Sequence, residues 1–219
     1  MVESFLKGAS AAGADVENIF LAKKKIGHCL GCFSCWIKTP GECVIKDDMK
    51  ELLQKEIASD IIIFATPLYV DNVSGIMKDF MDRSIPLADP HFEKDPNGQA
   101  RHVSRIKRPG KMGVIANAGF PEQDQFQVLK LLFKRIARAA HSELVAEIYK
   151  GEGELLKSKN EKLAPIIEKY KESLVKAGAE LAKNLKLSEE TMRELEKPLI
   201  PYEDYVRGVN QSWDKELKK

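Results

Sequence analysis

The sequence predicts an α/β protein built on a parallel β-sheet, and three observations carry that expectation. Short apolar, β-branched runs alternate with segments of helical period over the first two thirds of the chain. One run, Asp60-Ile61-Ile62-Ile63-Phe64-Ala65-Thr66, is nearly continuous in apolar residues, the pattern of a strand covered on both faces. The length, 219 residues with 43% hydrophobic, suits one α/β domain with additions and is enough to bury a core.

Each element follows in order. Residues 2–13 read as a helix, with Phe5, Leu6 and Ala9 on one face and Gly13 as its stop. Residues 16–21 are a short strand candidate that ends at Lys23-Lys24-Lys25, a solvated strand end. A Gly-containing segment with four cysteines spans 29–43, interrupted by Pro40. Asp48 is placed to cap the helix Met49–Ala58, with Glu51 completing a capping box. The apolar strand 60–66 follows, and Pro67 closes it. Helix 74–83 comes next, then a polar excursion from the sheet over 89–108. A strand is expected at 111–116, a strongly periodic helix at 123–140 (Phe126, Leu129, Leu132, Phe133, Ile136), and a last strand at 144–149. Strands joined through helices imply right-handed crossovers, hence parallel pairing. Beyond Gly151 the pattern is helical: about 160–185, a short helix behind Ser188, and 202–217 with the stripe Val206, Val209, Trp213, Leu217. The stripe suits a subunit contact or packing on its own sheet. The economical division is a domain over 1–150 and a helical extension over 151–219 packed on it.

Composition excludes several classes. Thirty-five basic against 33 acidic residues leave a net charge of +2, so no global field argues for nucleic acid or an anionic membrane. No apolar run approaches the ~20 residues of a membrane span, and the first residues lack the order of a signal peptide. A cytoplasmic protein is expected. The run Arg101-His102-Val103-Ser104-Arg105-Ile106-Lys107-Arg108 concentrates positive charge and could draw the phosphates of a nicotinamide cofactor. It belongs to no nucleic-acid-reading motif and lacks interleaved aromatics, so a solvated loop is the simpler reading.

The four cysteines, Cys29, Cys32, Cys35 and Cys43, fall within fifteen residues as C-x2-C-x2-C-x7-C. Without an export signal, such crowding points to metal or redox chemistry before a disulfide framework. Two C-x2-C steps turn thiolates toward one centre, and Thr39-Pro40-Gly41 can bend the chain to return the fourth. A [4Fe–4S] cluster wants such a cage, although the x7 gap and the residue after Cys43 differ from the ferredoxin run. Zinc and unligated thiols around a turn remain open alternatives.

In open α/β sheets ligands sit beyond the carboxyl ends of strands. Two such ends are Thr66-Pro67-Leu68-Tyr69-Val70-Asp71-Asn72-Val73-Ser74-Gly75 and Ala116-Asn117-Ala118-Gly119-Phe120-Pro121-Glu122. Both offer small or flat residues and backbone NH groups to a planar ring. Thr66-Pro67-Leu68-Tyr69, followed by Lys78 and Asp82-Arg83, resembles the signature of the NAD(P)H-dependent FMN reductase family, in the flavodoxin-like superfamily. The stretch Gly31-Cys32-Phe33-Ser34-Cys35-Trp36 with Cys43-Val44-Ile45-Lys46-Asp47-Asp48-Met49 resembles its cysteine-bearing branch, which includes the iron–sulfur flavoproteins.

The resemblance implies a flavodoxin-like doubly wound sheet of order 2-1-3-4-5, bound FMN, NAD(P)H as co-substrate, and a dimer or tetramer. Electrons would pass to a quinone, a flavin or a protein acceptor, through a [4Fe–4S] cluster on Cys29, Cys32, Cys35 and Cys43. Pro67, Leu68, Tyr69, Val70 and Asn72 match the loop beside the flavin ring, and Asn117, Ala118, Gly119 and Phe120 match the second ring loop. The flavin carries the chemistry and no side chain is assigned a catalytic role. An Asp82–Arg83 ion pair would fix the first loop. An electron carrier between proteins and a non-catalytic flavodoxin-like binding protein are the other classes. The family's opening strand and phosphate loop have no counterpart here. The expectation is a native chain about 25–30 residues longer, on the usual length of a βα entry. An in-frame stop codon just upstream of Met1 would count against it.

Overall fold

The structure is a computed structural model and describes residues 1–106 and 110–218. Its strands are β1 (Ile61–Pro67), β2 (Ala88–Lys94), β3 (Ala100–Ser104), β4 (Lys111–Asn117) and β5 (Glu143–Lys150). Its helices are α1 (Val2–Ala11), α2 (Ser34–Ile37), α3 (Met49–Ala58), α4 (Gly75–Asp82), α5 (Gln127–Ala139), α6 (Ala164–Asn184), α7 (Glu189–Glu196) and α8 (Tyr202–Glu216). The chain divides into two compact units. One comprises 1–16, 115–127 and 146–219, the other 17–114 and 128–145.

The parallel sheet has the order β1-β4-β5, which is the 3-4-5 part of the expected flavodoxin-like order. The central strand, β4, is buried from Met112 to Ala116. The expectation of a β1 covered on both faces is corrected. Only Phe64 and Thr66 are buried and Ala65 is exposed, because β1 is an edge of this three-stranded sheet. The strand expected over 16–21 is also absent, replaced by a short 3-10 turn, Leu21–Lys23. In the 2-1-3-4-5 order the second strand pairs only with the first. Among the described residues nothing offers it a ladder, and a strand forms only where its NH and CO groups are met.

In the unit of 17–114 and 128–145, Phe64 packs on Phe80 of α4 and on Phe133 of α5, with ring centroids 6.3 and 5.7 Å apart. The expected helix 123–140 is divided into a 3-10 turn, Gln123–Phe126, and α5, whose buried face is Leu129, Phe133 and Ala137. The excursion from the sheet is an antiparallel ribbon, β2 on β3, pairing Lys94 with Ala100 and Ala88 with Ser104 across an irregular register. Helix α3 forms as expected, but not by the expected cap. The Asp48 carboxylate accepts from Lys25 N at 2.8 Å, while Asp47 Oδ1 accepts from Met49 N at 3.1 Å. The acceptor one residue earlier meets the orphan donor.

In the unit of 1–16, 115–127 and 146–219, α1 lies against α6 with backbone meeting backbone. A Cβ on Gly8 would stand 1.8 Å from the Val175 carbonyl oxygen, and one on Gly178 1.9 Å from that of Phe5. Only glycine fits there. Ser188 caps α7 by accepting from Thr191 N. Helix α8 buries Tyr205, whereas Trp213 and Leu217 of the expected stripe are exposed and so do not pack on the sheet.

Candidate redox site

The cysteine segment is a loop closed at its stem by one buried ion pair. Arg83 is 1% exposed. Its Nη1 donates to Asp47 Oδ2 at 2.8 Å and its Nη2 to Asp47 Oδ1 at 2.9 Å, a bidentate fork. The same Nη1 donates to Gly27 O at 2.8 Å, and Gly27 N donates to Asp47 Oδ2 at 2.9 Å. The chain two residues before Cys29 is thereby tied to the chain four residues after Cys43. Burial pushes the Asp47 carboxyl up, but Arg83 and the NH groups of Gly27 and Met49 outweigh it and hold it below its ordinary range.

Above the stem, Phe33 adopts a left-handed backbone at the start of α2, which carries Cys35 into a buried position. The Trp36 indole donates to Ile85 O at 3.3 Å and fixes that turn. The bend at Thr39-Pro40-Gly41 forms as expected. Gly41 has φ of 87°, its NH donates to Cys35 O at 3.0 Å, and the Thr39 hydroxyl donates to Glu42 O at 2.8 Å. The outcome is a cavity of about 290 Å³ lined by all four cysteines, Arg83 and apolar walls that include Phe33 and Ile85. Cys29 and Cys32 are exposed, Cys43 is half-buried, and none of the four is in a disulfide.

The Ser34 hydroxyl and backbone lower the pKa of the Cys32 thiol; burial and the neighbouring sulfur of Cys43 raise that of Cys35. Among the described residues no three such ligands stand close enough for one metal ion. His28 turns away to Asp79, 2.6 Å distant, which raises its pKa.

The first strand-end loop, in the same unit, is a tight turn. Tyr69 N donates to Asn72 O at 2.9 Å and Asn72 N to Tyr69 O at 3.0 Å, with Val70 and Asp71 at φ of 49° and 57°. Two consecutive positive φ values are the mark of a type I′ turn, which Asn and Gly enter without strain and Val does not. The Thr66 hydroxyl accepts from Ser74 N at 3.0 Å and seats the loop on the start of α4. Tyr69 and Val70 are exposed.

The second loop belongs to the other unit. Ala118 is buried, its NH donating to Lys150 O at 3.0 Å and its carbonyl accepting from Gly153 N at 2.8 Å. Glu152 N donates to Phe120 O, and the Tyr205 hydroxyl donates to Gly119 O. A Cβ on Gly151 would stand 2.6 Å from Pro121 O, so glycine allows that close approach. Phe120 is exposed and Asn117 half-buried.

Two sequence expectations change here. Asp82 pairs with Lys78 at 2.7 Å, not with Arg83, since neighbouring residues at a helix end do not face one another. The basic run is not a free patch. Arg101 pairs with Glu93 at 2.8 Å and Arg105 with Asp89 at 3.1 Å, while Lys107 and Arg108 lie outside the described residues. The His102 ring packs against those of Trp36 and Phe92, tilted by 50° and 52°, with centroids 5.0 and 4.8 Å away.

Residues 1–99 match the family described as NADPH-dependent FMN reductase. An iron-sulfur flavoprotein of Archaeoglobus fulgidus is 37% identical over 123 residues, 56% of this chain and 50% of its own. One from Methanocaldococcus jannaschii is 40% identical over 115 residues, 52% and 58% of the two chains. The chain thus spans about half the length of the curated relatives it matches. The fold resembles that of an FMN-dependent NADH-azoreductase from Bacillus anthracis in complex with FMN, at TM-score 0.57 and 19% identity over 83% of this chain and 89% of that one. An NAD(P)H:quinone oxidoreductase from Methanothermobacter marburgensis gives TM-score 0.58 and 17% identity over 82% and 87%. These two likenesses speak for the fold. The family match covers the stretch that holds the cysteine segment and the first strand-end loop, and there the chain is similar to the NADPH-dependent FMN reductase family.

Proposed function

We propose that this protein is an FMN-dependent NAD(P)H oxidoreductase that passes electrons to a quinone, a flavin or a protein acceptor through a [4Fe–4S] cluster. The observation that carries the reading is the convergence of Cys29, Cys32, Cys35 and Cys43 on one cavity, in a stretch of FMN-reductase sequence. FMN, when bound, would accept a hydride and release electrons singly. The chain's own residues would bind and orient. Pro67, Leu68, Tyr69, Val70 and Asn72 would border the ring on one loop, Asn117, Ala118, Gly119 and Phe120 on the other. The exposure of Tyr69, Val70 and Phe120 supports this, since they are large apolar groups left in water at strand ends. The sulfurs of the cavity would hold the cluster, Cys35 from its buried side. The working protein would be a cytoplasmic homo-oligomer.

The test is an anaerobic absorption spectrum after reconstitution with FMN, iron and sulfide, followed by NAD(P)H oxidation with a quinone or ferricyanide. Flavin bands with a broad iron–sulfur shoulder and rapid turnover are expected. A colourless protein would overturn the reading and leave a binding protein on this fold. A second reading, an electron carrier between proteins, accords with curated relatives named only as iron-sulfur flavoproteins and predicts both chromophores but no appreciable NAD(P)H oxidation.

A further inference from the structure

Arg83 is a buried cation with one polar atom unaccounted for. Both terminal nitrogens are engaged by Asp47 and Gly27, yet its Nε is buried without any hydrogen-bond acceptor. A buried donor left unmade is costly, so its persistence calls for a reason. The residue lines the cysteine cavity together with Cys43 and the other three thiols. Asp47 does not line that cavity. Asp82 does, with its carboxylate already paired to Lys78. The positive charge therefore faces the sulfurs, and its neutralising partner stands behind it.

We propose that Arg83 is the counter-charge of the cysteine cavity, its guanidinium held at a fixed point by Asp47 and Gly27 so that the cluster on the four thiolates is easier to reduce. This rests on the cluster reading above. One-electron reduction adds one negative charge to a site that already carries four thiolates. The electron comes from the reductant, and no bond forms or breaks. In a partly dry site a fixed cation stabilises the more negative state more strongly than in water. Net charge and hydrogen bonds to sulfur are among the factors that set iron–sulfur potentials. The planar fork suits the task because two of its nitrogens are anchored while the third remains for a ligand.

The experiment compares reconstituted wild type, Arg83→Lys and the double variant Arg83→Gln/Asp47→Asn, which removes the pair together and leaves no charge stranded. Circular dichroism reports folding, iron and sulfide analysis reports cluster content, and an EPR-monitored dithionite titration reports the midpoint. In the double variant the reduced-to-oxidised ratio at a given potential is expected to fall at least tenfold, a shift of 59 mV for one electron. Arg83→Lys should stay within a few-fold of wild type. Loss of iron from a folded double variant, with retention in Arg83→Lys, also supports the proposal. An unmoved midpoint in the double variant at full cluster content overturns it, and so does an Arg83→Lys protein that loses its iron. A wild type that takes up no cluster overturns the cluster reading itself, and this proposal with it.

Discussion

Val70 sits at φ of 49° and is 98% exposed, so a β-branched residue occupies a left-handed position without any packing to compensate it. That conformation costs an L-residue about 1–2 kcal/mol, and strained residues of this kind gather at functional sites. Val70→Gly is expected to raise stability by about 1 kcal/mol, read as a higher melting temperature without ligand. If the side chain borders a flavin, the same variant binds FMN more weakly, and fluorescence titration separates the two effects. The second residue with a sharp expectation is Asp47. Its folded pKa lies below the ordinary value, so its contribution is complete above about pH 4 and is lost as pH falls through the folded value. Asp47→Asn should cost about 3–5 kcal/mol at pH 7, by stranding Arg83, and should lose less stability than wild type on going from pH 7 to pH 3. Melting curves at the two pH values check both statements; a wild type and variant with parallel pH dependence would contradict them.

At the scale of elements, legibility followed burial. The strands at 61–67, 111–117 and 143–150 were readable because their apolar runs coincide with ladder partners in the sheet, and α3, α4 and α6 because their period is clean. The segment 16–21 has strand-like residues and no strand, since pairing is a property of two segments and only one was in view. The cysteine loop was legible in its ligand types and spacing. Its stem was not, because Gly27, Asp47 and Arg83 are brought together across 20 to 56 residues by folding. The contact of α1 with α6 was equally hidden. Gly8 and Gly178 look like weak points in helices until the carbonyls of Val175 and Phe5 occupy the space a side chain would need. Because those atoms are backbone, neither helix can yield by a rotamer change. Gly8→Ala and Gly178→Ala should each destabilise by about 2–3 kcal/mol, although alanine is the better helix former. Chemical denaturation with an unchanged slope would measure this, and a stabilised Gly178→Ala protein would show that the helices stand further apart.

For the whole molecule, the compact units do not follow the chain's linear division at residue 150. Residues 1–16, 115–127 and 146–219 form one unit, and both β4 and β5 contribute residues to each unit. Helix α1 buries Phe5, Gly8 and Ala9, and its partner α6 lies beyond residue 160. The same region supports the second strand-end loop. Lys150 Nζ donates to Lys197 O, Glu152 Oε2 accepts from Leu199 N at 2.6 Å, and Tyr205 holds Gly119. Lys150 and Glu152 are both buried, so these contacts are shielded from water and from salt. An appended domain could be cut away with little effect on the remainder; a segment that supplies the far side of a core cannot. A chain ended at residue 150 would expose the buried face of α1 and free the carbonyl of Gly119. It is expected to lose more helix than the deleted residues account for and to melt without a cooperative transition, as followed by circular dichroism. A truncated chain that stays monodisperse and melts like the 219-residue chain would instead make the C-terminal helices an accessory to a self-sufficient domain.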